Sequence, residues 1–138
     1  MHRPPLDALR NVPLFTGLEP RELERLAERF RERTFVTGQT LVEEGSTGSS
    51  FFVIDEGTAD VSVAGERKAT LGPGDHFGEM AIVEDGVRSA SVTATSDVRT
   101  WFLTPWEFRP FVEENPQVVW ELLKSLARRL RAAQAPRG

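Results

Sequence analysis

The middle of this chain is a succession of short β-prone runs, each broken by turn formers. Thr34-Phe35-Val36, Thr40-Leu41-Val42, Phe51-Phe52-Val53-Ile54, Ala59 to Val63, Lys68 to Leu71, Ser91 to Ala94 and Val98 to Leu103 are all of this kind. Gly38, Gly45, Gly48, Gly57, Gly65, Gly72, Pro73 and Gly74 punctuate them. Ala59, Val61 and Val63 alternate with Asp60 and Ser62, which predicts a strand buried on one face. Many short strands at this spacing fold as an antiparallel sandwich or a jelly-roll β-barrel.

Helical patterning flanks that region. Leu6, Leu9 and Val12 suggest a short opening helix ended by Pro13, and Pro20 begins a second in which Leu23, Leu26, Ala27 and Phe30 recur at helical spacing. Pro105 opens a third segment, which Asn115-Pro116 interrupts. Pro116 starts a longer helix with Val119, Leu122, Leu123, Leu126, Ala127, Leu130 and Ala133 at spacings of three and four. That stripe is expected to cover the barrel, a partner chain, or both. The expected division is N-terminal helices over about 1–33, a β-roll over 34–104 and C-terminal helices over 105–138, all within one domain.

Composition narrows the function. At 138 residues, with 39% hydrophobic and 28% charged residues, the chain has the make-up of a soluble globular domain. A net charge of −4 argues against a general nucleic-acid binder, so no direct DNA binding is expected. The cations Lys124, Arg128, Arg129, Arg131 and Arg137 near the end suit the C-terminal pole of a helix, and one of them is a candidate to face a ligand. There is no cysteine, the apolar runs are too short to span a membrane, and the N-terminus lacks an apolar secretion segment, so a cytoplasmic location is expected.

Catalysis finds no support. The two histidines, His2 and His76, form no cluster, and His76 is expected in a loop, so no catalytic or metal-ligating residue is assigned. No serine stands in a nucleophile elbow. Trp101, Trp106 and Trp120 are read as packing around the junction of barrel and helices.

The chemistry concentrates between Phe77 and Val92. Phe77-Gly78-Glu79-Met80-Ala81-Ile82-Val83 places a glycine and a carboxylate at the start of a short apolar helical turn, and Arg88-Ser89-Ala90-Ser91-Val92 follows. Glycine lets backbone approach a ligand, and the unpartnered first amides of a helix seat an anion. Arg88 supplies a permanent planar cation suited to phosphate oxygens, and Glu79 an acceptor suited to a sugar hydroxyl. A phosphate joined to a ribose satisfies the set. Individually each residue has a plainer reading. Arg88 beside Glu84 and Asp85 is compatible with an exposed ion pair, Glu79 with a helix-start acid, and Met80 with core filler.

Taken together, the run resembles the phosphate-binding cassette of cyclic-nucleotide-binding domains, of the kind in the catabolite activator protein and cAMP-dependent kinase regulatory subunits. Phe77 to Ala81 and Arg88 to Val92 match its two halves. Further family-like pieces are Pro13-Leu14-Phe15 with Gly17-Leu18, Gly38 with Leu41 and Glu44-Gly45, Phe52-Val53-Ile54 with Glu56-Gly57, and Pro73-Gly74-Asp75. The resemblance implies a mainly β fold, an antiparallel jelly-roll barrel or double-stranded β-helix, with N-terminal helices and C-terminal lid or dimerisation helices. It implies a regulatory module without a cofactor whose ligand is cAMP, favoured here over cGMP. Arg88 would pair with the cyclic phosphate, Glu79 with the ribose 2′-hydroxyl, and Phe77, Gly78, Met80, Ala81, Ser89 and Ala90 would complete the cassette. Val61 would lie under base and sugar, and Arg129 would approach the pocket from the last helix. The stretch Ala132-Ala133-Gln134 carries no hydroxyl where relatives contact adenine.

Ligand capture is then expected to shift the C-terminal helices toward the barrel, signalling to a protein partner or to a second copy through the last helix. A scaffold that keeps the fold without nucleotide is the alternative. The chain carries neither a winged helix-turn-helix nor membrane helices, and is expected to be a stand-alone sensor or a piece of a larger protein.

Overall fold

In the computed structural model, which describes residues 3–46, 50–78 and 88–134, eight strands form two four-stranded antiparallel sheets. The strands are β1 (Arg31–Phe35), β2 (Thr40–Val42), β3 (Phe51–Glu56), β4 (Ala59–Val63), β5 (Glu66–Leu71), β6 (His76–Phe77), β7 (Ser91–Ala94) and β8 (Val98–Leu103). One sheet runs β1-β8-β3-β6 and the other β2-β7-β4-β5. Helices α1 (Leu6–Arg10) and α2 (Pro20–Arg29) precede the strands, with a 3-10 turn at Pro13–Phe15 between them. Helices α3 (Pro105–Glu114) and α4 (Pro116–Gln134) follow. The mainly β fold with flanking helices is as the sequence implies. Among the described residues the strands pair as two facing sheets and not as a closed ring.

β3 explains why both layers hold together. Phe51, Phe52, Val53 and Ile54 are all buried, because this strand has a core on each face. Phe52 and Ile54 point between the sheets, with Phe35, Leu41, Ala59, Val92 and Val98. Phe51 and Val53 point the other way, with Trp101 and Leu103 of β8, onto the helices. There Phe51 stacks on Phe108 of α3 at 5.5 Å and meets Phe15 edge-on at 5.9 Å. Leu23, Leu26 and Ala27 of α2 and Val118 and Leu122 of α4 close that layer.

Prolines fix where the helices begin. Pro20, Pro105 and Pro116 each occupy a first helical position, where the missing N–H costs nothing. At the α3–α4 junction the buried Asn115 donates from Nδ2 to the Phe111 carbonyl at 2.9 Å, so the break is a satisfied cap.

Three local expectations are corrected. The sheet begins at Arg31, ahead of the expected boundary, because the chain turns extended at the buried Phe30 and pairs at once with β8. His76 is a strand residue, paired with Val53 and with its ring 5.6 Å from that of Phe51. Of the tryptophans only Trp101 packs inside; Trp106 and Trp120 are 82% and 63% exposed, since they lie on the outward faces of α3 and α4.

Gly57 sits at φ +92 in the β3–β4 turn, where an added Cβ would collide with the Asp97 carbonyl and lie 2.9 Å from Val98 Cα. Gly57→Ala is expected to destabilise the fold by roughly 2–4 kcal/mol through strain and backbone displacement. Urea denaturation checks this, and an unchanged midpoint would contradict it.

Candidate functional site

Arg88 enters the fold as the chain approaches β7, and backbone bonds set its position. Its amide donates to the Ser46 carbonyl at 2.9 Å, and its own carbonyl accepts from the Gly45 amide at 3.0 Å. The side chain turns inward, leaving the residue only 7% exposed, and Nη2 donates to the Ser50 carbonyl at 3.0 Å. Burial pulls the guanidinium below its usual pKa by penalising the charged form. It nonetheless stays charged at physiological pH, since arginine starts far above it.

A second arginine supplies the contrast. Arg99 on β8 lies 2.7 Å from Asp55, 3.1 Å from Glu56 and 3.9 Å from Glu32. Its pKa is raised, first by the hydrogen bond to Asp55. Arg99 is thus neutralised by its own surface. Arg88 is more deeply buried, and among the described residues its side-chain hydrogen-bond partner is a neutral carbonyl. A guanidinium so placed keeps further N–H donors with which it is able to hold an anion.

Gly78 provides the space. It follows β6 at φ +101, a region open to glycine and costly for other residues. A Cβ there would strike the Ser50 carbonyl and come 3.0 Å from Arg88 Nη1. Gly78, Ser50 and Arg88 therefore converge on one point, and the backbone reaches it only because no side chain intervenes. Phe77 fixes the approach, its ring stacked on Phe52 at 4.9 Å inside the sandwich.

The remaining candidates fall as follows. Val61 is half-buried on β4, paired with Val92 just beyond Arg88 on the same chain segment, and packs against the inter-sheet core. Ser89 is exposed and Ala90 half-buried, directly after Arg88. Glu79, Met80 and Ala81 lie outside the described residues, as does the expected cassette helix; Arg129 belongs to α4, but its side chain also lies outside them. Two contributors were not anticipated. Ser50 acts through its carbonyl, which leaves no side-chain signature, and the Gly45-Ser46 turn anchors Arg88 by backbone alone.

Among the described residues no group of three or more His, Asp or Glu side chains could hold a metal ion, and no helix is long and apolar enough to cross a membrane. A groove of about 380 Å³ bordered by Thr34, Phe35, Gln39, Asp97 and Arg99 touches neither Gly78 nor Arg88.

The family model described as the cyclic nucleotide-binding domain matches residues 32–115, which runs from the second residue of β1 through β8 and α3. The chain belongs to that family. Among its relatives, a cAMP-dependent protein kinase regulatory subunit of Colletotrichum orbiculare is 36% identical over 95 residues, covering 67% of this chain and 24% of the relative. The crystal structure of the catabolite activator protein of Thermus thermophilus is 32% identical, covers 88% of this chain and 60% of that one, and superposes with a TM-score of 0.81. The N-terminal domain of a transcriptional regulator from Streptomyces coelicolor is 30% identical, with a TM-score of 0.77 over 96% of this chain and 99% of that one. This cyclic nucleotide-binding domain thus spans a quarter to three fifths of the first two relatives and nearly all of the third.

Gly78→Ala is expected to push Arg88 or the Ser50 carbonyl aside, costing roughly 2–4 kcal/mol of stability. Chemical denaturation reads this out; a variant as stable as wild type would show that the close approach is not needed.

Proposed function

We propose that this chain is a cyclic-nucleotide sensor that takes cAMP in preference to cGMP. The observation that carries the reading is the buried guanidinium of Arg88, held beside Gly78 with a neutral carbonyl as its described partner. The exocyclic oxygens of a cyclic phosphate match its donors, and burial strengthens that bond by excluding water. Glu79 then accepts from the ribose 2′-hydroxyl, and the amides from Gly78 to Ala81, with Ser89 and Ala90, complete the phosphate seat. Val61 and Phe77 support the apolar side, and Arg129 approaches from α4. The preference for cAMP is supported by the cAMP-dependent kinase regulatory subunit among the relatives.

The output is regulatory and not catalytic. Ligand shifts the balance between arrangements of α3 and α4 against the sheet, by no more than its differential affinity for them. Phe51, next to Ser50 in the chain, stacks on Phe108 of α3, which gives the helices a direct mechanical neighbour of the site. On α4, Trp120, Leu123, Ala127 and Leu130 recur at spacings of three and four and are all exposed. This stripe is the surface offered to a protein partner or a second copy.

Calorimetric titration with cAMP, cGMP and linear AMP tests the reading. Wild type is expected to bind cAMP more tightly than cGMP and far more tightly than AMP. Arg88→Met is expected to lose roughly 30-fold or more of cAMP affinity, since a desolvated charge-assisted contact is worth about 2–5 kcal/mol. Its ligand-free stability should stay within about 1 kcal/mol of wild type, because a buried charge gives way to an apolar group. Equal cAMP affinity in both proteins would defeat the assignment.

A further inference from the structure

We propose that Glu44 is a positioning residue for the anion site, tying the turn that carries Arg88's backbone to the β4–β5 hairpin. The proposal rests on reading Arg88 as the anion ligand. Glu44 is exposed, and its hydrogen bonds among the described residues go outside the proposed ligand seat, yet it sits at a crossing of three segments. Its carboxylate Oε1 accepts from the Ala64 amide at 2.8 Å, across twenty residues of sequence. Its own amide donates to the Ser91 hydroxyl at 2.9 Å, at the start of β7. The next two residues, Gly45 and Ser46, hold Arg88 by its carbonyl and amide.

Ala64 gives the contact its weight. It has φ +53, the one non-glycine residue with positive φ among those described, at the tip of the β4–β5 hairpin. An L-residue in this region needs support from its surroundings. The charge-assisted bond from its amide to Glu44 supplies that support. The hairpin's first strand carries Val61, the apolar wall of the proposed pocket, and the Glu44 turn carries Arg88. Glu44 therefore sets the spacing between the wall and the cation, although it reaches neither the phosphate nor the base.

Amide hydrogen exchange in the ligand-free protein tests this, together with cAMP titration. In Glu44→Ala, exchange should quicken roughly tenfold at both Ala64 and Arg88, with no change at Val53 and Trp101 in the core. Affinity for cAMP should fall roughly three- to tenfold. Glu44→Gln keeps an acceptor oxygen and should restore both readouts to within about twofold of wild type. Faster exchange at Ala64 with Arg88 unmoved, faster exchange throughout the core, or wild-type affinity in Glu44→Ala would each overturn the proposal. If wild type binds no cyclic nucleotide, the ligand reading fails, while exchange at Arg88 still decides whether Glu44 positions it.

Discussion

A buried guanidinium set against the Ser50 carbonyl constrains several separate segments of this domain at once. Taking an arginine out of water is costly, and the one acceptor it has among the described residues, a neutral carbonyl, offsets little of that cost. The chain nonetheless builds the position with care. Gly78 leaves room for it, the Gly45-Ser46 turn grips its backbone, and Phe77 is stacked so that Gly78 arrives where it must. Such a placement fits the proposed role of Arg88 as the group that meets the phosphate of a ligand. Arg99, wrapped in Asp55, Glu56 and Glu32, shows what the same residue looks like when it serves the fold alone.

β3 joins that site to the rest of the molecule. Successive residues face in turn Arg88, the helices and the inter-sheet core: Ser50 just ahead of the strand holds Arg88, Phe51 stacks on Phe108, and Phe52 stacks on Phe77. Because both faces of the strand are packed, a displacement at Ser50 meets close-packed aromatic rings within one or two residues. The α3–α4 segment follows, its break capped by Asn115. The domain therefore has a short, physically continuous route of packed groups from Arg88 to α3.

Much of this was legible in the residues. Glycine-separated β runs gave the sandwich, prolines marked three helix starts, and the Phe-Gly-Glu and Arg-Ser-Ala halves of the cassette singled out Gly78 and Arg88. The unread parts share a cause. Ser50 and the Gly45-Ser46 turn act through backbone groups that any residue possesses. His76 looked like loop because a two-residue strand has no periodicity to detect. Trp106 and Trp120 looked like packing because bulk suggests burial, whereas helix phase turns both outward. The helix stripe was visible, but its phase was not: of its members Leu122 is buried while Val119, Leu123 and Leu130 are exposed, and the buried Val118 lies outside the expected stripe.

Proposed as the ligand of a cyclic phosphate, Arg88 must sense that phosphate directly. The most direct measurement follows the Arg88 Nε–Hε resonance by NMR during titration with cAMP and, separately, with adenosine. A large, saturable shift of that resonance is expected with cAMP and none with adenosine, which has the base and sugar but no phosphate. A cAMP complex in which the Arg88 resonance stays where it was, or responds equally to adenosine, would contradict it.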